Sequence, residues 1–274
     1  MKKSILLIII LFLSVALLFA GCTSDQDNEQ DNGQDEKAVL KVGVDDTYPP
    51  MEYRDEDNNL VGFDVELAKA IGEKLDMEVE FISSAWTGIF MALDTSNFDV
   101  IISSVSITPK RMESYDFSDP YLANGQVIVV RPDDNSVTKP EDLAGKKVGV
   151  QITTTADTAV EKFKETTDIT VEKYDEIIQT FNGMKSGYVD YIVVDYPVAI
   201  EYVANDPESF KISSVQLTNE PIGICYRKGD TETQDKINGA LEELRNDGTL
   251  KTLSEEWLGD DYTSNIDEEL NAIE

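Results

Sequence analysis

Arg111 follows a strand-like run ending near Ser103 and the helix-opening pair Thr108-Pro109. Its planar guanidinium offers a fork that grips a carboxylate through two parallel hydrogen bonds, which a lysine reproduces poorly. A surface arginine at a helix start is the plain alternative, and the helix dipole makes that placement mildly unfavourable. Asp195 carries the opposite charge. It ends the apolar run Tyr191–Val194 and precedes a helix opened by Pro197, where a carboxylate at the mouth of a parallel sheet suits an ammonium group. A simple N-cap is equally consistent with that position. Thr154 and Thr155 begin another helix, and Asp157 is spaced for a capping box on Thr154. A hydroxyl and free backbone N–H groups therefore meet any anion placed there, although a plain N-cap explains Thr154 as well. Ser104 and Ser106, with Ser103 beside them, sit at a strand end and offer carbonyl, hydroxyl or amide groups, or merely cap the next helix.

Composition removes several other chemistries. The chain has 274 residues and no histidine, so imidazole is unavailable as base, triad member or metal ligand. Acidic residues outnumber basic ones 54 to 23, a net charge of −31, and such a surface repels nucleic acid and anionic membranes. The only cysteines are Cys22 and Cys225, which leaves no disulfide framework and no thiolate metal site. Neither a metal nor a cofactor is expected.

The elements that position these residues read as repeated strand–helix units. Strands are expected at Val39–Val44, Val79–Ile82, Val100–Ser103 and Val127–Val130, the third almost wholly apolar and so central in a parallel sheet. Asp64 to Leu75 places Leu67, Ala70, Ile71 and Leu75 on one helical face with Asp64 as N-cap. After the break at Pro132–Pro140 come strand 147–150, helix 155–164, strand 170–174, helix 175–185, strand 191–194, a short helix after Pro197 and strand 211–217. Strand 222–226 and helices 233–246 and 249–258 follow, with Gly248 as a stop between the helices. This predicts two α/β lobes, one from 38–130 and 222–274 and the other from 131–221. They are joined by two crossings, near Val127–Arg131 and Glu220–Arg227.

Residues 1–22 have the layout of a secretory leader: Lys2 and Lys3, an apolar run from Ile5 to Ala20, then Ala20-Gly21-Cys22. Small residues before a cysteine resemble a lipobox, with Phe19 where leucine is usual, and imply a lipid on Cys22. An uncleaved membrane anchor is the alternative. Either reading holds the remainder outside the cytoplasm. Residues 23–37 are acidic and polar, the composition of a disordered stalk.

Four stretches carry a family resemblance: Asp45 to Tyr53 (DDTYPPMEY), Gly62 to Leu67 (GFDVEL), Ser103 to Arg111 (SSVSITPKR) and Val194 to Pro197 (VDYP). From about Ala38 to Gly259 the chain resembles the polar amino-acid-binding family of ABC-transporter solute receptors. The resemblance implies a periplasmic-binding-protein-like α/β fold, two lobes on a two-strand hinge with the ligand cleft between them. It implies a free polar amino acid as ligand, with a basic one first and glutamine next. It also implies delivery to ABC permease subunits in the membrane. It assigns Arg111, with Thr154 and Thr155 across the cleft, to the ligand carboxylate, and Asp195, with Ser104 and Ser106, to the ammonium. Tyr48 and Trp86 are assigned to the flanks of the ligand side chain, where flat rings suit aliphatic stems and cations. Asp45 is assigned to the distal end. Thr153 stands where the family usually has glycine.

A monomeric binding protein without catalytic activity is the expected outcome. A dehydratase-like enzyme on the same scaffold is the rival, with Asp45, Asp46 or Glu52 as general acid. A ligand-sensing domain is the third reading, disfavoured because no second transmembrane run or cytoplasmic domain follows in the sequence.

Overall fold

The computed structural model describes residues 37–274. The expected leader 1–22 with Cys22, and the expected stalk 23–37 except its last residue, lie outside the described residues. The first lobe begins with β1 (Val39–Val44), in which only Leu40 is buried among the first three residues and Val42–Val44 are buried continuously. A short meander follows: β2 (Thr47–Tyr48), β3 (Glu52–Arg54) and β4 (Leu60–Val61). Then come α1 (Phe63–Leu75), β5 (Glu78–Ser83), α2 (Trp86–Asp94), β6 (Val100–Ile101), α3 (Pro109–Ser114) and β7 (Tyr115–Phe117).

The chain then builds a second sheet. Its elements are β8 (Gln126–Val130), β9 (Lys147–Gln151), α4 (Thr155–Lys164), β10 (Thr170–Tyr174), α5 (Ile177–Lys185), β11 (Tyr191–Asp195), α6 (Tyr196–Asn205) and β12 (Lys211–Gln216). It returns to the first lobe for β13 (Cys225–Arg227), α7 (Thr231–Asn246) and α8 (Thr249–Leu258). The sheet orders are β5-β1-β6-β13-β7 and β10-β9-β11-β8-β12. The expected central strand is third in its sheet, but the sheet is mixed rather than parallel, since β6 runs parallel to β1 on one side and antiparallel to β13, which returns from the second lobe, on the other.

Each sheet is covered on both faces, as apolar strands of this kind require. In β8, Ile128 and Val130 join Val148, Val150 and Tyr191 in one core cluster, whereas Val127 and Val129 join a larger cluster with Ile192 and Val194. That alternation is the two-residue period of a strand.

The lobe boundary differs from the expected one. Residues Val127–Val130 pair antiparallel with β11 and β12, so the whole of β8 belongs to the second sheet. The first crossing therefore precedes Gln126 rather than lying within 127–131. The second ends before β13, because Cys225 and Tyr226 already pair with β6 and β7. The two crossings run antiparallel and bond to each other: Glu220 N donates to Asn124 O (3.0 Å) and Ile222 N to Leu122 O (2.9 Å). Gly125 lies in the first crossing, and a Cβ there would sit 2.1 Å from the carbonyl oxygen of Thr218 in the second. Only glycine lets the two strands approach this closely.

Asp64 is not the N-cap of α1. Gly62 occupies that position with φ of 133°, and the Asp64 carboxylate turns inward to accept from Ser104 N (2.7 Å) and Tyr121 OH (2.8 Å). Cys225 is fully buried, and desolvation pushes its thiol far above the usual range.

Candidate functional site

A narrow cavity lies between the lobes, and all ten residues singled out from the sequence line it: Asp45, Tyr48, Trp86, Ser103, Ser104, Ser106, Arg111, Thr154, Thr155 and Asp195. Glu52 and Gln151 complete the wall.

Arg111 is placed by the cap of α3. Thr108 accepts from Arg111 N (3.2 Å), and Pro109 fixes the first turn. The guanidinium donates to Ser106 O (2.9 Å) and lies 5.5 Å from the Trp86 ring and 5.3 Å from the Phe90 ring. Trp86 and Phe90 stack edge to face at the start of α2. Among the described residues, the protein supplies Arg111 with a neutral acceptor and two aromatic rings. Burial lowers its pKa, opposed by the negative charge of Glu220.

Asp195 caps α6 by position only, since its carboxylate makes no bond to that helix. One oxygen accepts from Asn124 Nδ2 (2.6 Å) and Gln126 Nε2 (2.7 Å), and the other from the Tyr48 hydroxyl of the opposite lobe. All three donors are neutral, and the buried carboxylate lines the cavity. Gln126 Nε2 also donates to Thr155 Oγ1 (3.0 Å), tying the start of α4 to the same cluster.

The capping box expected at α4 is half formed. Thr154 Oγ1 accepts from Asp157 N (3.2 Å), but the Asp157 carboxylate accepts from Thr153 N (3.0 Å) instead of Thr154 N, and also pairs with Lys173 at 2.8 Å. Thr153 takes φ of +62°, the left-handed conformation for which a β-branched residue is unsuited. Its carbonyl accepts from Trp86 Nε1 (3.2 Å) across the cleft.

At the far end, Asp45 accepts from Thr47 Oγ1 (2.7 Å) and from Gln151 Nε2 of the second lobe (3.0 Å). Burial raises its pKa, and those hydrogen bonds resist the rise. Ser103 is committed to holding this end together: its hydroxyl accepts from Asp45 N (2.9 Å) and donates to Glu52 Oε1 (2.7 Å). Glu52 is fully buried, and desolvation followed by the charge of Asp64 drives its pKa well above the carboxylate range. Asp64 itself is pushed up to about 6 by burial, against the pull of Tyr121 and Ser104. Asp46, in contrast, faces away from the cavity and pairs with Arg54 at 2.8 Å. It is therefore removed from the general-acid candidates.

Sequence reasoning missed Gln151, Phe90, Asn124 and Gln126. Gln151 had a signal, for it ends the apolar run of β9 just as Asp195 ends that of β11, and polar residues at such ends face the crevice. Asn124 and Gln126 flank the hinge glycine and carried none. Among the described residues, no group of three or more metal-ligating side chains is arranged to hold an ion.

Two α/β lobes, a paired two-strand crossing and a charged cleft define a solute-binding architecture. The model of the bacterial extracellular solute-binding proteins, family 3, matches residues 40–260, and the chain belongs to that family. It is 32% identical over 229 residues to the L-cystine-binding protein TcyJ of Escherichia coli (strain K12), covering 83% of this chain and 85% of the relative. Among solved structures, an ancestral arginine-binding protein bound to arginine is 43% identical, with a TM-score of 0.77 over 82% of this chain and 100% of its own. The ancestral amino acid-binding protein AncCDT-1, a precursor of cyclohexadienyl dehydratase, is 36% identical, with a TM-score of 0.75 over 81% of this chain and 96% of its own.

Proposed function

We propose that this protein is the extracytoplasmic receptor of an ABC importer, held to the outer face of the membrane by a lipid on Cys22. In this reading it acts as a monomer that closes around a free basic amino acid and hands it to the permease. One observation carries the proposal: Arg111 and Asp195, from opposite lobes, line one cavity together with Asp45. An α-amino acid brings a carboxylate for Arg111, which Thr154 and Thr155 would share. It brings an ammonium for Asp195, with Ser104 and Ser106 beside it. A cationic side chain then finds Asp45. Tyr48 and Trp86 enclose the aliphatic stem.

The charge pattern decides among ligands. Asp45 and Asp195 are buried carboxylates held by neutral donors, and ionising such groups without a countercharge is costly. An arginine or lysine supplies two cations to two acids. Glutamine satisfies Asp45 by hydrogen bonding alone. Cystine would bring Asp45 a second ammonium but also a second carboxylate, and Arg111 is the only basic residue among those lining the cavity. Ligand and closure are coupled because only the closed arrangement presents both sets of contacts at once.

The dehydratase reading has one supporting feature, Glu52, a cavity-lining acid whose pKa is raised well above the carboxylate range by burial and by the charge of Asp64. The distinguishing experiment incubates the protein with amino acids and with prephenate-like acids. Saturable heat stabilisation by L-arginine or L-lysine without product supports the receptor, and turnover supports the enzyme. Arg111→Ala and Asp195→Ala are expected to abolish the stabilisation. Undiminished stabilisation in both variants removes the site.

A further inference from the structure

The residues that follow the family match, 261–274, do not hang free. Tyr262 O accepts from Ala123 N (2.8 Å), a residue of the first hinge crossing. Asn271 exchanges two backbone hydrogen bonds with Asn219 of the second crossing, at 3.0 and 3.3 Å. The Asn219 side chain adds a clamp, donating to Asp267 O (3.0 Å) and Glu269 O (2.7 Å). One segment therefore bonds to both strands that must bend when the lobes separate.

The same segment touches both lobes. The Tyr262 ring packs edge to face on Tyr196 of α6, with centroids 5.8 Å apart. At the other end, the Glu274 carboxylate accepts from Lys110 N at 3.0 and 3.1 Å, at the start of the helix that carries Arg111. Ile273 and Glu274 line a groove at the cleft mouth opposite Thr153 and Thr158 of the second lobe.

We infer that residues 261–274 form a strap across the hinge that favours the closed arrangement and positions the Arg111 helix from outside the cavity. Opening changes the backbone angles of a few crossing residues, and Asn219 and Ala123 are tied to the strap at those points. Contacts spanning Tyr196 and the cleft mouth exist only while the lobes are together. The strap thus adds to closure without touching the ligand, and its removal lowers affinity by raising the population of open protein. The inference rests on the closure that the proposed function requires, but its test needs no ligand.

The experiment compares amide hydrogen exchange in the intact protein, a variant ending at Ser264, and Asn219→Ala, all without added amino acid. The expected result is exchange faster by roughly threefold to tenfold at Thr153–Asp157 and at the crossing residues in both variants, with the cores of the two sheets unchanged. Unaltered exchange at those segments in a folded shortened chain overturns the strap. If the shortened chain does not fold, Asn219→Ala decides alone, because it deletes only the clamp. A companion measurement, L-arginine dissociation, is expected to quicken in the same variants. Absence of arginine binding alongside altered exchange would count against the ligand and leave the strap standing.

Discussion

The hydroxyl of Tyr48, in the first lobe, donates to the carboxylate of Asp195, in the second, so the group assigned to the ligand ammonium is also a fastening between the lobes. Trp86 with Thr153 and Gln151 with Asp45 make two further bonds across the cleft. Each places a residue of the proposed site in two roles, holding the ligand and holding the lobes together. Tyr48→Phe keeps the ring and deletes the fastening. Its expected effect is a loss of about 1 kcal/mol in L-arginine affinity, seen mainly as faster dissociation in stopped-flow fluorescence, because the encounter with the open form is untouched.

Asp45→Asn should change the ligand preference more than the stability. The amide oxygen still accepts from Gln151 and the amide nitrogen can donate to the Thr47 hydroxyl, which bonds the other oxygen in Asp45, but the group no longer attracts a cationic side chain. Titration calorimetry with L-arginine and L-glutamine is expected to show their affinity ratio shifting toward glutamine by about tenfold or more, the equivalent of ~1.4 kcal/mol. An unchanged ratio would place the side chain of the ligand elsewhere.

Thr153→Gly is expected to stabilise the protein. Threonine at φ of +62° bears a steric penalty that glycine lacks, on the order of 1 kcal/mol after the glycine's extra freedom in the unfolded chain is counted. Urea unfolding should show the gain without a change in slope. A loss of stability would mean that the threonine side chain makes a contact worth more than its strain.

The buried acids give a pH dependence with a definite sign. Burial raises Asp64 from 3.8 to about 6, so the folded state binds its proton more tightly than the unfolded chain does. Its contribution to stability is complete below pH 3.8 and is lost as pH rises through about 6, an amount of about 3 kcal/mol. The stability of the wild type relative to Asp64→Asn should therefore fall between pH 4 and pH 7. A difference that stays level across this window would show that Asp64 is not desolvated in the folded protein.

Strands were legible where β-branched apolar residues run together, and helix 155–164 was legible to the residue because Thr154 and Asp157 mark its start. Helix α2 was not, since Trp86–Asp94 has no capping side chain and no polar face to give a period. The meander strands of two or three residues are too short to show alternation. The lobe boundary was misplaced because the apolar run 126–130 looks the same whichever sheet it joins, and only pairing partners distinguish the two. In the site, charged and motif-borne residues were readable. Asn124 and Gln126 were not, because what they do depends on a crossing strand that brings them to Asp195 from 71 and 69 residues away.

The thiol of Cys225, sealed in the first lobe and kept protonated there, has a practical consequence. Thiol-reactive dyes need an accessible thiolate, so among the described residues the native protein presents them with no target. A single cysteine introduced at the rim of the cleft would be the accessible thiol among the described residues, and its emission would report each capture event directly.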